Sequence, residues 1–173
     1  MSTCTDSHIV LVGMMGVGKS SVGRALARRL DRKLLDSDEM IEAREGRTVR
    51  DIWMEDGEPA FRRIEAEVLA DAIAAPTPSV VAAAGGVVLS EENRNALKGS
   101  GAHVVWLLAD VELLLERVRN GMHRPLLDDD PEGTLRTMYE ERADLYQEVA
   151  DAIVSVEHRS INEVAGAVLR CAG

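Results

Sequence analysis

The chain has 173 residues, 46% of them hydrophobic, enough to bury one substantial core and within the range of a single domain. Thirty acidic residues against twenty basic ones give a formal charge of -10, a field that repels a nucleic-acid backbone, so no nucleic-acid partner is expected. Aromatics make up only 3%, the two cysteines (Cys4, Cys171) lie near opposite ends, and the four histidines are scattered, which argues against a disulfide framework or a zinc site.

In chain order, the apolar run at 8–12 reads as a buried strand, and Lys19 to Leu30 as an amphipathic helix. A short strand follows at 33–36, then helical stretches at 38–45 and 48–56, then a longer helix at 58–74 with Pro59 in its first turn. "SVVAAA" at 79–84 and "HVVWLL" at 103–108 read as strands flanking a short helix that Ser90 caps. Asp110 opens a Leu-rich helix to about Asn120. Residues 121–133, "GMHRPLLDDDPEG", carry turn chemistry without helical periodicity and are the candidate for a lid loop. A helix from Thr134 to about Val149, a strand at 152–156, and a last helix opened by the capping box Ser160 to Glu163 complete the order. Residues 1–6 are expected to form a disordered tail.

Strands that alternate with helices, without hairpin signals, define βαβ units and a parallel sheet covered on both faces. Ligands in such sheets bind beyond the carboxyl ends of the strands. No apolar run approaches ~18 residues and no secretory leader opens the chain, so a cytoplasmic protein with no membrane partner is expected.

The chemistry starts at "GMMGVGKS", residues 13–20, which matches G-x-x-x-x-G-K-[ST] and sits between a buried strand and an amphipathic helix. Glycines 13, 16 and 18 permit positive φ, so that successive N–H groups face one concavity suited to phosphate oxygens. Lys19 would then reach the β- and γ-phosphates and Ser20 would ligate Mg²⁺.

In "LLDSDE", Asp36 and Asp38 lie two apart at a strand end, and extended backbone would point both to one side. Spacing alone fits caps of the next helix equally well. Beside a triphosphate loop, Asp36 suits a position near Mg²⁺ and Asp38 the group that orients an attacking hydroxyl. In "FRRIEAEVLADAI", Arg62 flanks the apolar face, Arg63 is solvated, and Glu65 falls inside the apolar stripe, where it needs an arginine partner. Gly85 and Gly86 allow close approach of a ligand to backbone, or make a simple turn. Arg124 and Arg142 are the remaining cations near candidate loops, available to stabilise transferring charge or to sit in solvent. Asp128 to Asp130 read as a solvated face.

Together these residues resemble the shikimate kinase family, within the P-loop nucleoside-monophosphate-kinase-like group. The likeness runs over roughly residues 8 to 170, in "GMMGVGKS", "LLDSDEMIE", "DIWMEDGEPAFRRIE", the Gly85-Gly86 pair, "RPLL" and "RADLY". The resemblance implies a single-domain α/β P-loop kinase with a five-stranded parallel sheet. It implies ATP-dependent phosphorylation of the shikimate 3-hydroxyl, with Mg²⁺, in aromatic amino-acid biosynthesis. ATP contacts would come from Gly13, Gly16, Val17, Gly18, Lys19, Ser20, Ser21, Arg117 and Arg124, and Mg²⁺ contacts from Ser20 and Asp36. Asp38, Arg62, Gly85, Gly86 and Arg142 would hold shikimate, Trp53 and Phe61 would line its pocket, and Lys19, Asp38 and Arg124 would act in transfer. A monomer is expected. The chain departs from the family pattern at Ala84, where a third glycine is usual, and in "EHRSIN", where Ile161 replaces a proline. Another polyol acid such as gluconate, or a non-catalytic ATP-binding role, are the alternatives.

Overall fold

Every residue of β1 (Ile9–Val12) is buried, because this strand lies at the centre of a five-stranded parallel sheet. In the computed structural model, which describes residues 6–120 and 129–173, β2 (Leu34–Asp36), β3 (Val80–Ala82), β4 (His103–Leu108) and β5 (Ala152–Ser155) join it in the order β2-β3-β1-β4-β5. The helices are α1 (Lys19–Leu30), α2 (Ser37–Glu45), α3 (Val49–Asp56), α4 (Glu58–Ile73), α5 (Glu91–Gly99), α6 (Val111–Arg119), α7 (Pro131–Val149) and α8 (Ile161–Ala172). The expected Arg124 and most of the expected lid loop lie outside the described residues, as do residues 1–5.

Register decides which side chains share a face. Leu11 aligns with Ala82, and Ala82 with Asp36. Helix α1 covers this face so closely that a Cβ on its Gly23 would lie 2.8 Å from Leu34 Cδ1. On the opposite face Val12 aligns with Trp106, and Trp106 packs on Tyr146 of α7 with ring centroids 5.7 Å apart. Both faces are thus sealed by helices, as the unbroken aliphatic runs of β1, β3 and β4 require. The chain leaves β1 toward β2 and β3 on one side and reaches β4 and β5 on the other. This switch opens a crevice above the carboxyl end of β1.

Local signals set most boundaries. Ser90, Asp110 and Ser160 cap α5, α6 and α8, the last through a capping box with Glu163. The start of α7 differs from expectation: it begins at Pro131 rather than Thr134. Asp130 accepts the Gly133 N–H at 3.1 Å and Pro131 occupies the first helical turn, so "DPEG" is a helix start and not the end of a loop. A 3-10 turn at Val87–Leu89, which periodicity does not reveal, follows Gly86. No helix among the described residues is long and apolar enough to cross a membrane.

Candidate active site

The loop between β1 and α1 takes the shape its glycines allow. Gly13, Gly16 and Gly18 have φ of +148°, +82° and +104°. At Gly13 a side chain is also excluded by space, since a Cβ would lie 2.6 Å from the Leu107 carbonyl oxygen. Arg117 Nη1 donates to the carbonyls of Gly16 (2.8 Å) and Val17 (2.9 Å). Because a trans peptide directs C=O and N–H oppositely, this turns the Gly18 N–H away from Arg117. Lys19 Nζ donates to the carbonyls of Gly13 (2.7 Å) and Met14 (3.0 Å), arching over the loop. Residues Gly16 to Ser21 and Arg117 line one cavity of about 820 Å³; Gly13 stands behind the loop and does not line it.

Asp36 and Asp38 line the same cavity, but not as two residues of one strand. The strand ends at Asp36, and Asp38 already lies in the first turn of α2. Asp36 has two functions at once. Its Oδ1 accepts from the N–H groups of Asp38 (3.1 Å) and Glu39 (3.3 Å), capping α2, while its Oδ2 accepts from Ser20 Oγ. The second contact follows from register: Asp36 shares the face of Leu34, Leu11 and Ala82 that α1 covers, and Ser20 is in the first turn of α1. One carboxylate thus caps the next helix and meets Ser20 beside the phosphate loop at the same time.

Ser20 and Asp36 present two hard oxygen donors beside the phosphate loop. Among the described residues no cluster of three or more His, Cys, Asp or Glu forms a self-sufficient metal site. This donor set fits Mg²⁺, which binds through one or two protein oxygens and takes the rest of its shell from phosphate and water.

Across the cavity lies a second group. Glu65 is 1% exposed and receives Arg62 Nη1 at 2.9 and 3.0 Å on its two oxygens. Burial pushes its carboxyl above the usual range, Arg62 and Arg142 oppose that rise, and the nearby Asp38 adds to it. One buried carboxylate thus senses Arg62, Asp38 and Arg142 together. Arg62 Cζ lies 5.5 Å from the ring centroids of both Trp53 and Phe61, which meet edge to face at 5.3 Å. Gly86 leaves room for this packing: a Cβ there would lie 2.5 Å from Arg62 Cζ, so a larger residue would displace the guanidinium.

Arg142 is 5% exposed, its Nε has no protein acceptor, and no carboxylate among the described residues forms an ion pair with it. A buried cation left in this state is costly unless an anion from outside completes it. It lines the cavity with Arg62, Gly85 and Gly86. Ala84 has no positive φ, so its methyl is accommodated without backbone strain where a glycine is usual in the family.

The cavity also takes in Arg50 and Arg159, which sequence reasoning passed over. A signal existed for each. Arg50 lies three residues before Trp53 on α3, hence on the same helical face, and Arg159 follows the carboxyl end of β5, where polar ligand groups are expected.

A glycine cradle at the switch point of a parallel sheet, with its lysine, a Ser/Asp oxygen pair and a facing cluster of guanidinium groups, defines a P-loop phosphotransferase. A family model described as Shikimate kinase matches residues 15–172. A shikimate kinase of Symbiobacterium thermophilum is 47% identical over 165 residues, covering 94% of each chain. The chain belongs to the shikimate kinase family. The structure of a shikimate kinase from Acinetobacter baumannii in complex with shikimate superposes with a TM-score of 0.91 at 38% identity, over 96% of this chain and 92% of that one. A gluconokinase from Sinorhizobium meliloti, 27% identical over 97% of this chain and 94% of its own, reaches a TM-score of 0.60.

Proposed function

We propose that this chain transfers the γ-phosphoryl group of ATP to the 3-hydroxyl of shikimate, giving shikimate 3-phosphate and ADP, a step of aromatic amino-acid biosynthesis. The observation that carries this reading is Arg142: a buried guanidinium beside Arg62 with no carboxylate ion-pair partner among the described residues, in the same cavity as the phosphate loop, calls for a small acceptor that carries a carboxylate. The Trp53–Phe61 wall next to Arg62 suits a compact ring better than an open polyol chain, which favours shikimate over gluconate.

In this reading Arg62 and Arg142 bind the carboxylate, Glu65 holds Arg62 in orientation, and Gly85 and Gly86 let the ring approach the backbone. Asp38 accepts the proton of the 3-hydroxyl as its oxygen bonds to the γ-phosphorus and the bond to the ADP oxygen breaks. The loop amides from Gly16 to Ser21 hold the phosphates, and Lys19 leaves its carbonyl partners to meet the oxygens on which charge develops. Ser20 and Asp36 would hold Mg²⁺, which supplies charge neutralisation at the β- and γ-phosphoryl oxygens. Arg117 steadies the loop and faces the base side, and Arg124 is proposed to add a cation during transfer. A cytoplasmic monomer completes the proposal; among the described residues the exposed large apolar side chains Met54, Leu89, Ile153 and Ile161 lie on different elements.

The test is ADP release measured with ATP and Mg²⁺ and either shikimate or gluconate. Shikimate-dependent turnover is expected. Folded protein that releases no ADP with shikimate, or that binds ATP and turns over neither acceptor, overturns the proposal.

A further inference from the structure

Tyr146 lies on α7 one turn beyond Arg142, and its hydroxyl donates to the Gly85 carbonyl at 2.6 Å. The ring is 1% exposed, packed on Trp106, and burial pushes its phenol up to about 12, so it stays a neutral donor through the working pH range. The peptide it grips lies at a junction. A Cβ on Gly85 would lie 3.3 Å from the Gly13 carbonyl oxygen, 3.5 Å from the Met15 nitrogen and 3.6 Å from Arg142 Nη1, while the following Gly86 packs on Arg62.

The carbonyl of Gly85 and the N–H of Gly86 belong to one trans peptide and point in opposite directions. With the carbonyl held by Tyr146, the Gly86 N–H is directed away from α7. No acceptor among the described residues takes it, and Gly86 lines the cavity. A backbone donor fixed between two guanidinium groups is a third contact for an acceptor's carboxylate, and its direction depends on one phenol.

We infer that Tyr146 is a positioning residue: its hydroxyl sets the plane of the Gly85–Gly86 peptide so that the Gly86 N–H meets the anionic end of the acceptor between Arg62 and Arg142. This rests on the shikimate reading above. Helix α7 thereby delivers two parts of the acceptor site, Arg142 directly and the Gly86 amide through Tyr146. A second tie works in the same direction: Glu148, two residues further on, pairs with Arg94 at 3.0 Å, and Arg94 Nη1 donates to the Val88 carbonyl at 2.8 Å in the turn that follows Gly86.

Tyr146→Phe removes the hydroxyl and keeps the ring. Loss of one neutral hydrogen bond corresponds to about a fivefold rise in KM for shikimate, with kcat and KM for ATP within about twofold of wild type. Val149→Ala, in the same helix and buried away from Gly85, serves as the stability control and should lower Tm without moving KM. In ¹H–¹⁵N spectra of the wild-type chain, the Gly86 amide proton should move downfield when shikimate is added, and should not do so in Tyr146→Phe. An unchanged KM in Tyr146→Phe, an equal rise in Val149→Ala, or a Gly86 amide in the wild type that ignores shikimate overturns the inference while leaving the proposed reaction standing. A wild-type chain without shikimate turnover removes both.

Discussion

Gly86→Ala is the sharpest perturbation of the acceptor site, because it touches a residue with no functional group. The new Cβ would lie 2.5 Å from Arg62 Cζ, whereas ordinary contact begins near 3.4 Å. The guanidinium, whose Nη1 would lie nearer still, must therefore shift by at least about 1 Å, which disturbs the 2.9 and 3.0 Å bonds that Nη1 makes to Glu65. A charge-assisted contact of this kind contributes roughly 1.5–3 kcal/mol, so KM for shikimate should rise about ten- to a hundredfold, with KM for ATP unaffected. Stability should respond in a pH-dependent way. Glu65 has a raised carboxyl in the folded state, so its contribution is fully present below the unfolded-state value and is lost as pH rises through the folded one. Withdrawing Arg62 raises the folded value further, and the Tm deficit of the variant should be larger at pH 8 than at pH 5. Steady-state kinetics in each substrate and thermal melts at the two pH values are the assays. Wild-type KM for shikimate in this variant would refute the packing argument, and a Tm deficit that shrinks with rising pH would refute the electrostatic one.

Three further outcomes are expected. Lys19→Ala should lower kcat by about two to three orders of magnitude through lost stabilisation of the transferring group, measured as shikimate-dependent ADP release; near-normal turnover would remove the loop lysine from the mechanism. Asp36→Asn keeps an oxygen for the α2 cap but loses the charge beside Ser20, so the Mg²⁺ concentration for half-maximal rate should rise at least about tenfold while Tm changes little; a large Tm loss at an unchanged Mg²⁺ requirement would reverse the assignment. Ala84→Gly should leave KM for shikimate within about twofold and lower stability by roughly 0.4–1 kcal/mol in denaturant melts, since Ala84 has no positive φ and glycine only adds freedom to the unfolded chain.

What was legible in the chain depended on the distance over which the physics acts. The phosphate loop was readable because its geometry is local: three glycines, a lysine and a serine in eight residues, bracketed by a buried strand and an amphipathic helix. Arg62 and Glu65 were readable too, because a carboxylate inside an apolar helical stripe demands a cation within a turn. For Asp36 and Asp38 the sequence led to the cavity that both line, but by a different route from the one the backbone takes. One residue of boundary between β2 and α2 changes the periodicity from two to 3.6, and with it the premise that both side chains leave one strand together. The start of α7 was lost to the opposite ambiguity, since Asp130-Pro131 opens a helix with the same letters that open a turn. Arg142 could be placed near the site but its burial could not be read, because the residues that enclose it come from β3, the phosphate loop and α4, far away in sequence. Tyr146 stood in the sequence only as the last letter of "RADLY", with no role attached, because its partner is a carbonyl 61 residues away.

The charge distribution explains how a chain of net charge -10 can be built to hold two anions. Away from the cavity, arginines are consumed by carboxylates: Arg47 by Glu55 and Asp56, Arg136 by Glu112 and Glu132, Arg44 by Glu67 and Asp71. Inside it Arg62 is still paired with Glu65, but two other arginines are not held this way. Arg117 is held by two backbone carbonyls, and Arg142 has no carboxylate partner among the described residues. A carbonyl orients a guanidinium without cancelling its charge, so the positive field survives where it is needed and is spent elsewhere. Over a Debye length of about 10 Å an extended polyanion meets the acidic exterior, whereas a triphosphate or carboxylate inside the cleft meets mainly the few cations that line it. Selectivity for small anions thus follows from which atoms hold the arginines, not from how many arginines the chain contains.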